Sequence, residues 1–382
     1  MTTRVPVKPQ LLAWALDRSG MKQTTSRYAR FSRWAAGEGP PPTFRQLEEF
    51  AQATHAPLGY LFLAEPPVET VPISDFRTVG NAGVRSPSAD LLDTIYEAQK
   101  RQDWYQTYAS TQGFDTLPFV GSATINDAPE RVADEIRRAL DFGMDRRARF
   151  RTWEEALRQL IDAIEQIGVL VMVSGIVGSN THRVLDPEEF RGFALADPLA
   201  SLVFVNAADT KSGQIFTLIH ELAHIWVGES ALSDAQMDAT ANNNHELWAN
   251  RVAAEVLVPS NAIRAEYRGS VELSELQRIA RIFKVSTLVV LKRIYDSGFI
   301  KWSDFRDRYD SELERLRSIV EERRGSGGDY YNTQPLRISQ TFARAVIVDA
   351  MEGRTLYRDA FSLLGSAKRS TFEGMANKLG VA

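Results

Sequence analysis

Apolar positions recur at helical spacing through the first part of the chain. Leu11, Leu12, Ala15 and Leu16 mark one helix that stops at Ser19-Gly20, and Phe44, Leu47, Phe50 and Ala51 mark another that runs up to Pro57. The segment GEGPPP between them, residues 37–42, cannot be regular helix. Leu91, Leu92, Ile95 and Ala98 predict a helix over residues 89–115, and further helices are expected near 128–142 and 153–167. The period then changes. Val169 to Val173 form a short β-branched run after Gly168, and Phe193-Ala194-Leu195 and Leu202-Val203-Phe204-Val205 are two more strand candidates. A helix is expected from about Ile215 to Val227, and another from His245 to Leu257, stopped at Pro259. Residues 272–298 read as helix with a turn near Lys284-Val285, and residues 303–324 as a charged helix ended by Arg323 to Gly328. The order of helices, strands and paired helices describes a mostly helical α+β chain with a small β-sheet.

Four regions follow from this pattern. Residues 1–64 are helical. Residues 65–88 read as a linker, from Glu65-Pro66-Pro67 to the polar stretch NAGVRSPSAD. Residues 89–300 hold the mixed domain with a helical lead-in. Residues 301–382 are helical again, with 329–382 as a small unit of its own. Internal repeats and low-complexity tracts are not evident.

Composition narrows the class. Among 382 residues, 44% are hydrophobic and 25% charged, the balance of a globular protein with a sizeable core. The formal net charge of −4 gives no bulk electrostatic case for nucleic-acid binding. With no cysteine, disulfides, thiol nucleophiles and Cys-based metal sites are excluded. The start, MTTRVPVKPQ, has no apolar signal-peptide core, and no apolar run approaches the ~18 residues that span a bilayer. No membrane association is expected, and a cytoplasmic location is.

The candidate chemistry lies in Phe216 to Trp226, which contains H-E-x-x-H: His220, Glu221 and His224. Positions i and i+4 share a helix face, so both imidazoles can reach one metal. Imidazole nitrogen suits Zn²⁺, and Glu221 beside the first ligand can take a proton from water. Phe216, Leu218, Ile219, Leu222, Ala223 and Ile225 make this helix apolar on nearly every side. Its polar residues are therefore expected to be buried, which is costly unless a metal partners them. A third ligand is available downstream from His245, Glu246 or Glu255. Glu246 and Glu255 are nine residues apart and point to opposite helix faces. Glu246 shares its face with Asn250, Ala253 and Leu257, so Glu246 is the expected ligand and Asn250 an outer partner for an imidazole. Glu255 is then a buried carboxylate paired with an arginine such as Arg251 or Arg264.

H-E-L-A-H followed by E-x-x-A-N-R-x-A-A-E-x-L-x-P resembles the ImmA/IrrE family of metallopeptidases, over roughly residues 165–262. The resemblance implies a zincin-like fold and a gluzincin-type zinc endopeptidase. His220, His224 and Glu246 would be the ligands and Glu221 the catalytic base. It also implies a protein substrate, a repressor or antitoxin-like regulator. Residues 1–80 and 300–382 look like a long subgroup with a region similar to an XRE-type helix-turn-helix before the peptidase. The alternative is a transcriptional regulator or toxin–antitoxin component acting by DNA or protein binding around a non-catalytic zinc site. An intact Glu221 argues against it.

The N-terminal region departs from the helix-turn-helix pattern. Trp34-Ala35-Ala36-Gly37, Pro42, Leu47 and Pro57 to Leu61 resemble its second half, but only four residues separate Ala29 from Trp34. That leaves no room for the turn and a full recognition helix, which argues against specific DNA binding. Arg27, Arg30, Arg33 and Arg45 remain for non-specific phosphate contacts or a solvated face. His55 and His182 are expected to be structural or exposed, the seven tryptophans to anchor cores, and Tyr330-Tyr331 to pack or to dock a partner. Finally, Ser201 to Asn206 precedes the metal-binding helix. Read as a sheet edge along the cleft, it would pair with an extended substrate at Val205 and Asn206. Its four apolar residues in a row also suit an interior strand.

Overall fold

A computed structural model describes residues 3–21, 23, 25–75, 87–233, 244–323, 337–366 and 368–381. These fall into two compact units, one within Met1–Pro72 and Ala82–Tyr96, the other within Ile73–Asn81 and Glu97–Ala382.

In the first unit the expected apolar faces meet. Helices α1 (Pro9–Arg18), α2 (Ser26–Ala35) and α3 (Phe44–Thr54) and a 3₁₀ turn, Leu58–Phe62, bury Leu12, Leu16, Phe31, Leu47, Phe50 and Leu61 together. Thr43 and Gln46 form a reciprocal cap at the start of α3, and His55 ends it in a left-handed conformation. The loop between α2 and α3 runs from residue 36 to 43 and contains three prolines, whereas a helix-turn-helix joins its helices by three or four residues.

The second unit is α+β, with a five-stranded mixed sheet. Its elements in chain order are β1 (Ser74–Asp75), α4 (Ala89–Gln112, from Glu97 onward), α5 (Pro129–Ala139), α6 (Met144–Arg147) and α7 (Trp153–Gln166). Then come β2 (Leu170–Ser174), β3 (Gly192–Leu195), β4 (Leu202–Asn206), α8 (Lys211–Val227), β5 (Ala231–Ser233) and α9 (Asn244–Leu257). The helices α10 (Ser260–Glu266), α11 (Leu273–Phe283), α12 (Thr287–Asp296) and α13 (Trp302–Arg323) follow, and then α14 (Gln340–Met351), α15 (Tyr357–Leu363) and α16 (Arg369–Leu379). Part of the expected linker is thus a strand.

The sheet order is β1-β5-β3-β4-β2. β4 pairs parallel with β2 and antiparallel with β3, and β5 pairs antiparallel with β3 and parallel with β1. Every residue of β2 and β4 is buried, which explains why these runs read as continuous rather than alternating. Val171, Val173, Ala194, Val203 and Val205 join Leu218, Ile219 and Leu222 of α8 in the main core. On the opposite face Phe193 stacks on Phe204, with ring centroids 4.9 Å apart.

The C-terminal helices are tied into this unit. Glu165 at the end of α7 accepts hydrogen bonds from the Gln340 and Thr341 amides, each at 3.2 Å, and Arg101 of α4 donates to the Leu363 carbonyl at 3.0 Å. Tyr330 and Tyr331 lie outside the described residues. Among the described residues, no helix is long and apolar enough to cross a membrane.

The edge reading of Ser201 to Asn206 is corrected by this topology. Residues Leu202 to Val205 have strands on both sides, so their backbone groups are not open to a substrate. Val205 and Asn206 are fully buried, and the Asn206 amide donates to the Arg191 carbonyl at 2.8 Å. The interior reading is the one that holds.

Candidate metal centre

α8 is a helix without a wet face. Thr210 caps its start by accepting from the Gly213 amide, Gly228 closes its end in a left-handed conformation, and Gln214 to Trp226 are all buried. His220, Glu221 and His224 are therefore inside the protein, as their apolar flanks require.

α9 packs against α8 and brings Glu246 to both rings. The Glu246 carboxylate lies 3.2 Å from His220 Nε2 through one oxygen and 3.3 Å from His224 Nε2 through the other. The two Nε2 atoms are 3.2 Å apart. These three buried residues are a group that could hold a metal ion, the single such group among the described residues. The other two candidates on α9 point elsewhere. His245 Nδ1 is 2.7 Å from the Glu229 carboxylate. Glu255 is buried against Arg293 and accepts from the Ser260 amide at 3.1 Å and hydroxyl at 2.7 Å. The expected arginine pairing of Glu255 is present, with Arg293 in place of Arg251 or Arg264.

The electrostatics follow from burial and proximity. Burial disfavours a charged Glu246, but the two rings outweigh it and hold the carboxyl far below the ordinary range. Burial likewise works against His220, yet Glu246 keeps that ring above its ordinary value, helped by the Asn250 side chain. For His224 burial wins and the ring is held below its ordinary value. The site is thus a carboxylate facing two imidazoles, one held above and one below its ordinary value.

Glu221 sits one residue from this group. Burial pushes its carboxyl up to about 8, with His220 opposing. Its Oε2 accepts from the Ser233 hydroxyl at 3.4 Å, while its Oε1 has no hydrogen-bond partner. Two residues around it escaped the sequence reading. Ser233 lies on the three-residue β5, too short to show a period. Gly192 opens β3, and a Cβ there would meet Thr217 Cγ2 at 2.5 Å, the Phe204 carbonyl at 2.8 Å and Glu221 Oε1 at 3.1 Å. A glycine leading a strand is a signal of close approach that the sequence did carry.

No curated protein matches the chain. A domain of unknown function (DUF8813) matches residues 338–378, which span α14 to α16. Residues 164–295 match the peptidase M78 model, described as an IrrE N-terminal-like domain, and the match includes His220, Glu221, His224 and Glu246. It supports a metallopeptidase domain of the ImmA/IrrE type in this segment.

Proposed function

We propose that the protein is a zinc-dependent endopeptidase in which His220, His224 and Glu246 hold the ion and Glu221 is the catalytic base. The observation that carries this reading is the spacing of the donor atoms. Zinc bound tetrahedrally at ~2.0–2.2 Å from nitrogen and oxygen needs donors about 3.3 Å from one another. The three separations here are 3.2, 3.2 and 3.3 Å. Two neutral-capable imidazoles and one anionic carboxylate are also the donor set of a catalytic site that keeps a fourth position open.

When bound, the cation supplies Lewis-acid chemistry, polarising the scissile carbonyl and making water a better nucleophile. The chain's own residues do the rest. Glu221 Oε1, with no hydrogen-bond partner, takes the proton of the attacking water and passes it to the leaving amine nitrogen. Ser233 holds the other carboxylate oxygen, so that Oε1 stays presented. Asn250 steadies the His220 ring. The apolar shell of α8 excludes bulk water from these groups and strengthens each interaction.

The substrate in this reading is a regulatory protein of repressor or antitoxin type. The test is co-expression of the wild type or Glu221→Gln with proteins encoded nearby, followed by mass spectrometry of the partners and metal analysis of the purified chain. We expect about one zinc per chain in both. Cleavage should occur only with the wild type, and His224→Ala should lack zinc. Stoichiometric zinc in His224→Ala, or cleavage by Glu221→Gln, would overturn the assignment.

A further inference from the structure

The two ends of the sheet differ in what they touch. β2 forms one end and is separated from β5 by β4 and β3. The other end is β1 on β5, and β5 carries Ser233, whose hydroxyl contacts Glu221. β3 also reaches Glu221 through Gly192, but both its sides are filled by β4 and β5. The only backbone edge next to the carboxylate, among the described strands, is therefore the outer side of β5.

That side is covered in an unusual way. β5 is buried at all three positions, whereas β1 has two residues, both exposed. Ser74 pairs with Ala231 and Asp75 with Leu232, in parallel. Ser74 and Asp75 bring no apolar side chain to the pairing, and the ladder between β1 and β5 is made by main-chain groups. An extended peptide offers the same main-chain groups, which is how strands are added to open sheet edges. An added strand lies about 4.8 Å from its neighbour. A peptide replacing β1 would run directly alongside the strand that positions Glu221.

We infer that the outer edge of β5 is the binding site for an extended segment of the polypeptide substrate, and that Ser74–Asp75 occupies it in the resting chain as a self-inhibiting strand. This rests on the zinc-peptidase reading. Substrate pairing then requires β1 to leave, and specificity includes the ability to compete with it.

The absence of cysteine makes the test clean. In full-length Ser74→Cys/Ala231→Cys, a disulfide between the paired positions pins β1 in place, and reduction releases it in the same molecule. The probes are a tri-alanyl hydroxamate, which combines a metal-binding group with an extended backbone, and acetohydroxamate, which has the group alone. Binding to the zinc-loaded chain is measured by calorimetry, with thiol titration reporting the disulfide. The oxidised protein should bind the peptidyl hydroxamate at least about tenfold more weakly than the reduced one, because the competent state is withdrawn. Acetohydroxamate should bind both equally. Ser74→Pro/Asp75→Pro removes the amide donors of β1 and should bind the peptidyl hydroxamate more tightly than the wild type. Equal peptidyl affinity in the oxidised and reduced protein, or no gain in the proline variant, overturns the self-inhibiting strand and leaves the zinc reading standing. Failure of acetohydroxamate to bind the wild type overturns the zinc reading and this inference with it.

Discussion

Glu255 should behave as a structural residue, and its removal should be costly. Glu255 and Arg293 are each 6% exposed, and Arg293 also donates to the Val258 carbonyl at 2.9 Å and the Ser260 hydroxyl at 2.7 Å. Glu255→Ala would leave a buried guanidinium with neutral partners only and would orphan the Ser260 amide. Breaking a buried pair from one side costs roughly 3–5 kcal/mol, because the surviving charge stays uncompensated. At about 2–4 °C per kcal/mol for a unit of this size, the melting temperature should fall by roughly 6–20 °C. The pair lies on the face of α9 opposite Glu246, so zinc content should not change. Glu255→Leu/Arg293→Met removes both charges together and should recover most of the loss. Thermal unfolding and metal analysis on the same four proteins (wild type, Glu255→Ala, Arg293→Met and the double variant) decide the matter. A Glu255→Ala protein that melts with the wild type but has lost its zinc would refute both the pairing and the choice of Glu246.

Two further outcomes follow from the surroundings of Glu221. Gly192→Ala puts a Cβ against the Phe204 carbonyl, which cannot rotate away, and against Glu221; it should cost about 1–3 kcal/mol and depress turnover while zinc is retained, as unfolding, metal content and cleavage measured together will show. In metal-free protein, an acid raised from 4.5 to about 8 by burial carries no penalty below its ordinary value, and stability is lost as pH rises through that window. With a chelator present, Glu221→Gln should therefore match the wild type near pH 4.5 and exceed it at pH 8, by at most ~5 kcal/mol; denaturant curves that stay level across this range would count against the burial argument.

What the sequence disclosed and what it withheld divide along a physical line. The H-E-x-x-H helix was legible because its apolar residues surround the three polar ones, and burial of those groups makes sense with a metal. The opposite directions of Glu246 and Glu255 were legible because a helix fixes relative direction at 100° per residue, and the structure places Glu246 at the two imidazoles and Glu255 at Arg293. Arg293 was not legible as the partner of Glu255, since the two are 38 residues apart and only the packing of α12 brings them together. Of the five strands, β2, β3 and β4 could be read within a residue or two, whereas β1 and β5 could not be read, and nor could the order.

The misplaced edge shows why. β4 leads directly into α8, and chain order alone makes it the natural border of the cleft. Its position in the sheet is set instead by β5, which returns after α8 to lie on β3 with Gly192 opposite Ser233. That return takes three residues, Ala231 to Ser233, and its capping by β1 takes two. Periodicity cannot report segments of that length, because an alternation needs about four residues to be seen. The short strands therefore carry information of a different kind from the long ones. β2 and β4 declare themselves by continuous burial, whereas β5 is specified by the close approach it permits: a glycine on its neighbour and a serine of its own, both against Glu221. The carboxylate was recognisable from its motif, and the sheet edge beside it was recognisable only from what touches that carboxylate.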